Sequence, residues 1–102
     1  MKAIVLTGPC EAEDMKVSEI PIPMVRPGWV LVKVHAAGLN HSESLLRQFE
    51  IQNDYILKPI VPGIECVGEV YDPSDSSLQK GDRVVALMGG MGRSFNGSYA
   101  EY

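Results

Sequence analysis

Histidine, serine and glutamate stand side by side in Gly38-Leu39-Asn40-His41-Ser42-Glu43-Ser44, directly after an apolar run. Such a cluster is open to metal ligation, to a proton relay, or to hydrogen bonding at the start of a helix. A zinc site needs three or four thiolate, imidazole or carboxylate groups converging on one point. The candidates are Cys10, His35, His41, Glu65 and Cys66, and no two of them have a standard ligand spacing. Glu65 and Cys66, as strand neighbours, would face opposite ways. No metal site is expected. Ser42 lacks the Gly-x-Ser-x-Gly elbow of a nucleophile. His41 and Ser42 are adjacent, so on a helix they diverge by about 100° and form no base–nucleophile pair. Two readings remain. Asn40 caps a helix, with Glu43 reaching back from three residues on. Alternatively, the free N–H groups and partial positive charge of that helix start face a ligand.

The glycines of Met88-Gly-Gly-Met-Gly-Arg-Ser94 suggest phosphate binding, but they give neither GxGxxG nor a P-loop lysine. A flexible surface loop is the expectation there, with Arg93 free to meet a phosphate presented by another domain.

The elements that must position these groups are mostly strands. Lys2 to Leu6 is a β-branched run, and Met15 to Ile20 reads as a second strand closed by Pro21-Ile22-Pro23. Arg26-Pro27-Gly28-Trp29 has the order of a type II turn. It feeds a strand in which Val30, Val32 and Val34 share one face and Leu31, Lys33 and His35 the other. Leu45, Leu46 and Phe49 recur at helical spacing, which predicts a helix from His41 to Phe49. Gly63 and Gly68 bracket a further strand and suggest a bulge or a close backbone approach. Lys80-Gly81-Asp82 turns into another strand, and a last one starts at Ser98-Tyr99-Ala100-Glu101-Tyr102. Many short strands, one short helix and Gly/Pro turns predict a small, mostly β barrel.

The whole chain has 102 residues, enough for one domain. A net charge of -4 argues against non-specific nucleic-acid binding, which needs clustered cations. No run of about 18 apolar residues exists, so no membrane span is expected. The apolar start is too short for a secretory signal, and a cytoplasmic location is expected. Two cysteines, Cys10 and Cys66, are too few for a disulfide framework and are read as reduced thiols. The chain stops inside its last strand pattern, which suggests a piece of something longer.

Four segments in order, Val30-Leu-Val-Lys-Val-His-Ala-Ala-Gly-Leu-Asn-His-Ser-Glu43, Pro62-Gly-Ile-Glu-Cys-Val-Gly-Glu-Val70, Lys80-Gly-Asp-Arg-Val-Val-Ala-Leu87 and Gly97-Ser-Tyr-Ala-Glu-Tyr102, resemble one family. It is the N-terminal, GroES-like catalytic domain of the medium-chain dehydrogenases/reductases. The resemblance covers nearly all of residues 1–102 and implies a partly open β-barrel with one short helix. It also implies a Rossmann NAD(P)-binding domain absent from this chain, with the active site in the cleft between the two. Zinc-dependent members carry Cys at the position of Asn40 and His at that of Ile64. The sequence departs at both and has no cysteine after Cys66 for a structural zinc lobe. It therefore looks like the zinc-independent quinone oxidoreductase and enoyl reductase branch.

That branch implies hydride transfer from NADPH to a small-molecule quinone, activated alkene or carbonyl, with no zinc. By the same resemblance Asn40 lies beside both nicotinamide and substrate, Ser42 is a candidate proton donor, His41 lies near the cofactor pyrophosphate, and Tyr55 lines the substrate pocket. Glu65 is left to structural hydrogen bonds. The fragment alone is expected to be inactive, and the full-length protein to be a homodimer. Two rivals stand beside this reading: a zinc alcohol dehydrogenase with displaced ligands, and a non-enzymatic co-chaperonin-like barrel. The second needs a mobile apolar docking loop, whereas the first inter-strand loop here is short and acidic.

Overall fold

The computed structural model describes residues 1–102. Its strands are β1 (Lys2–Ile4), β2 (Val17–Glu19), β3 (Leu31–Ala37), β4 (Glu65–Asp72) and β5 (Arg83–Leu87), with one α-helix, α1 (His41–Gln48), between β3 and β4. β1 and β2 form an antiparallel pair, and β3-β4-β5 form an antiparallel sheet. The C-terminal segment joins the two: Ala3 bridges Ala100, and the Val34 N–H donates to the Glu101 carbonyl at 2.8 Å. The result is two linked open sheets, as the partly open barrel implied by the family resemblance requires, and not the closed barrel that the strand pattern alone would allow.

Local chemistry explains the joints. The Trp29 N–H donates to Arg26 O at 3.0 Å across Pro27-Gly28, and Gly28 has φ +84°, which completes the type II turn. Gly68 is where β4 presses closest on β3: a Cβ there would lie 2.1 Å from the Lys33 carbonyl oxygen. Between Val34 and Ala36 the register shifts, so His35 bulges out of the ladder, exposed and 3.8 Å from half-buried Glu69.

The core lies under α1. Leu6, Leu46, Ile51, Ile56 and Ile60 pack together, with Ile4, Cys10 and Met15 against them. The helix matches the expected span to within one residue. Glu43, Leu46 and Arg47 are buried, while Leu45 and Phe49 are exposed. Both charged residues face inward on backbone partners: Glu43 Oε2 accepts the Asn40 N–H at 2.9 Å, its buried Oε1 being left without a partner, and Arg47 donates to the Cys10 carbonyl.

The glycine-rich loop also departs from expectation. Residues 88–98 are held rather than free: Ser94 and Arg93 N–H groups donate to Gly90 O, the Gly92 N–H to Phe95 O, and the Leu57 N–H to Arg93 O. Gly90 and Gly92 take φ values of +101° and +75°, which lets the loop fold back on itself.

Candidate functional site

The start of α1 is built by the strand before it. β3 ends at Ala37, and Gly38 follows with no room for a side chain, since a Cβ would fall 1.9 Å from Glu65 Oε1. Glu65, the first residue of β4, thereby reaches Asn40, whose Nδ2 donates to Glu65 Oε1 at 3.2 Å. Asn40 and Glu43 form the capping-box arrangement. In its well-formed half, the Asn40 N–H donates to Glu43 Oε2 at 2.9 Å. Asn40 is thus fixed from two sides, by its own helix and by β4.

A cleft of about 390 Å³ opens beside this helix start. Asn40, His41, Glu43 and Arg47 supply its polar wall, and Leu39, Met15 and Tyr99 part of its apolar one. His41 and Leu39 are exposed at this edge, Leu39 to 87%. The Tyr99 hydroxyl donates to the Gly38 carbonyl at 3.2 Å. Burial first, then the charge and hydrogen-bonding reach of Glu43, then Glu65, push the Tyr99 phenol up to about 12. Because the folded value lies above the ordinary one near 10, this group stabilises the fold below about pH 10. That contribution is lost as pH rises from about 10 through about 12. Phenolate absorbance followed through alkaline titration is expected to show a component ionising near pH 12 that Tyr99→Phe removes. An unchanged titration in that variant would contradict the placement of Tyr99.

Ser42 lies on the other flank of α1. Arg93 Nη2 donates to Ser42 Oγ at 2.9 Å and to Ser42 O at 3.1 Å, and Arg93 Nε donates to Glu50 Oε1 at 2.9 Å. The Tyr55 hydroxyl donates to Glu50 Oε2 at 2.9 Å. That bond, more than any other cause, holds the exposed Tyr55 phenol above its usual range. Tyr55 also lines a shallow recess with Asp54, Ile56, Leu57, Lys58 and Ser94. The Arg93 side chain is only 17% exposed, so it is turned inward and does not stand free as the loop reading expected.

The four site residues expected from the sequence therefore fall into two pairs. Asn40 and His41 line the cleft, and Ser42 and Tyr55 are joined through Arg93 and Glu50. Sequence reasoning did not find Glu50, Tyr99 or the inward role of Arg93, because nothing in local spacing marks contacts made 43 and 51 residues apart. Buried Cys66 is a thiol whose ionisation burial disfavours. No group of three or more His, Cys, Asp or Glu side chains converges anywhere in the chain. No helix is long and apolar enough to cross a membrane.

Comparison with known proteins bears directly on this geometry. A quinone oxidoreductase of Sus scrofa is 37% identical over 93 residues, covering 88% of this chain and 26% of that protein. The trans-enoyl reductase BOA5 of Botryotinia fuckeliana is 35% identical over 105 residues, covering 100% of this chain and 26% of that protein. The structure of the quinone oxidoreductase from Coxiella burnetii superposes with a TM-score of 0.82 at 29% identity, over 99% of this chain and 33% of that one. The chain thus spans about a quarter of the length of these curated relatives. Residues 26–102 match the alcohol dehydrogenase GroES-like domain, and the chain belongs to that family of the medium-chain dehydrogenases/reductases.

Proposed function

We propose that this chain is the catalytic domain of a longer, zinc-independent oxidoreductase that uses NADPH to reduce a quinone, an activated alkene or a carbonyl. The observation that carries the reading is the pairing of Asn40 with Glu65 at the mouth of the cleft. The two relatives described above, a quinone oxidoreductase and a trans-enoyl reductase, support the reaction class.

Zinc does not fit this donor set. Asn40 offers an amide whose N–H is directed at Glu65, its neighbour on β4 is preceded by the aliphatic Ile64, and thiolate and imidazole are missing from the pair. No step is therefore assigned to a metal. A nicotinamide cofactor fits better: the exposed His41 sits at the positive end of α1, where an anionic pyrophosphate is favoured. The bound cofactor would supply the hydride.

The chain's own residues then position and polarise. Asn40, held at both its backbone and its side chain, presents a fixed amide beside the reacting groups. A substrate that spans the helix start, from the cleft at Asn40 to the recess at Tyr55, would bring its acceptor oxygen to Ser42, which donates a hydrogen bond to it as charge develops there. Tyr55 forms part of the substrate wall. A Rossmann domain outside this chain would close the cleft. The exposed Leu39, Leu45 and Phe49 around α1 are apolar surface suited to such a neighbour. The longer protein is read as a cytoplasmic homodimer acting on a small molecule.

The test is NADPH-dependent reduction of a quinone or an α,β-unsaturated ketone by the longer protein, before and after chelation of metals. Turnover is expected in both. Absence of turnover with quinones, enones and carbonyls alike would overturn the reading.

A further inference from the structure

We propose that Arg93 is a positioning residue that makes the Ser42 hydroxyl a committed hydrogen-bond donor toward the hydride acceptor. This deepens the function proposed above and rests on it. A hydroxyl has one proton and two lone pairs, whereas a guanidinium has donors only. The direction of the 2.9 Å bond between Arg93 Nη2 and Ser42 Oγ is therefore fixed: arginine gives and serine accepts. Ser42 Oγ donates to no other group of the protein, so its own proton is left for a ligand. A cation on the oxygen's lone pair also polarises the O–H bond and strengthens what it donates.

The cation is kept from wandering. Arg93 Nε is tied to Glu50, whose second oxygen is taken by the Tyr55 hydroxyl at 2.9 Å. The same Nη2 that meets Oγ also reaches the Ser42 carbonyl at 3.1 Å, which fixes the guanidinium against the first turn of α1. Arg93's backbone is held by bonds to Gly90 and Leu57. Tyr55, Glu50, Arg93 and Ser42 thus form one continuous chain from the recess to the helix start. An arginine serving only as a loop strut would need Glu50 but not the Ser42 hydroxyl.

The experiment is a double-mutant cycle in the full-length protein, reading kcat and the solvent isotope effect for NADPH-dependent quinone or enone reduction. Arg93→Met and Ser42→Ala are each expected to lower kcat by about tenfold or more. The double variant is expected to be no slower than Ser42→Ala alone. Arg93→Lys, which keeps a cation but loses the fork, should recover part of the loss. Glu50→Gln serves if Arg93→Met folds poorly, with a smaller effect that also vanishes in the Ser42→Ala background. Equal losses from the Arg93 substitution in both backgrounds would overturn the proposal while leaving the oxidoreductase reading intact. A wild-type protein inactive with every acceptor would overturn both.

Discussion

Gly63→Ala is expected to destabilise the domain by about 3 kcal/mol or more, combining backbone strain with a steric clash. Gly63 has φ +106°, a region that side chains rarely adopt. A Cβ there would also meet Ser98 Oγ at 2.3 Å and the Ser98 backbone nitrogen at 2.8 Å. The backbone contact cannot be relieved by rotating a side chain. Residues 61–63 and 97–99 are laced together: Gly97 N–H donates to Val61 O, Tyr99 N–H to Pro62 O, and Ser98 N–H to Gly63 O. Separating them would move Tyr99, and with it the wall of the cleft. Gly28→Ala is the control, since Gly28 has φ +84° with nothing within 4 Å. It should cost only about 1 kcal/mol, the strain alone. Thermal melts should separate the two, with a fall on the order of 12 °C or more for Gly63→Ala. Equal melting points for the two variants would refute the close approach.

Asn40→Ala carries the largest expected effect on activity, about a hundredfold in kcat/KM of the longer protein. The substitution removes two things at once, the helix cap and the amide that meets Glu65. Asn40→Ser separates them. Serine caps a helix about as well as asparagine, so the stability loss of about 1 kcal/mol expected for alanine should be recovered. The amide is not restored, so activity should stay low. Steady-state kinetics and melts on both variants decide it. Recovery of activity together with stability in Asn40→Ser would mean that Asn40 is only a cap.

What was legible in the sequence was local. The type II turn and the Asn40–Glu43 helix start are each written within four residues and formed as expected, whereas the strand alternation held only from Val32 to His35, between two register shifts. The glycines at 63 and 68 marked close approaches correctly but not their partners, which lie on distant segments. The inward face of α1 is not marked by its apolar residues: Leu46 is buried with Glu43 and Arg47, while Leu45 and Phe49 are exposed. Burial of two charged residues depends on carbonyl and N–H partners that only the fold supplies. The glycine-rich loop was misread for a related reason. Its glycines permit a tight internal fold as well as mobility, and the fold is held by the loop's backbone bonds together with the Arg93–Glu50 pair. The pairing of Ser42 with Tyr55 was invisible in spacing, since the carboxylate that joins them belongs to neither motif.

Nicotinamide-linked reduction without a metal is decided by zinc content and turnover measured together. The longer protein would be stripped with a strong chelator, its zinc content determined by elemental analysis, and its NADPH oxidation with a quinone followed before and after zinc is returned. No stoichiometric zinc is expected in the purified protein, with the same turnover at every stage. Activity lost on chelation and restored by zinc would contradict it.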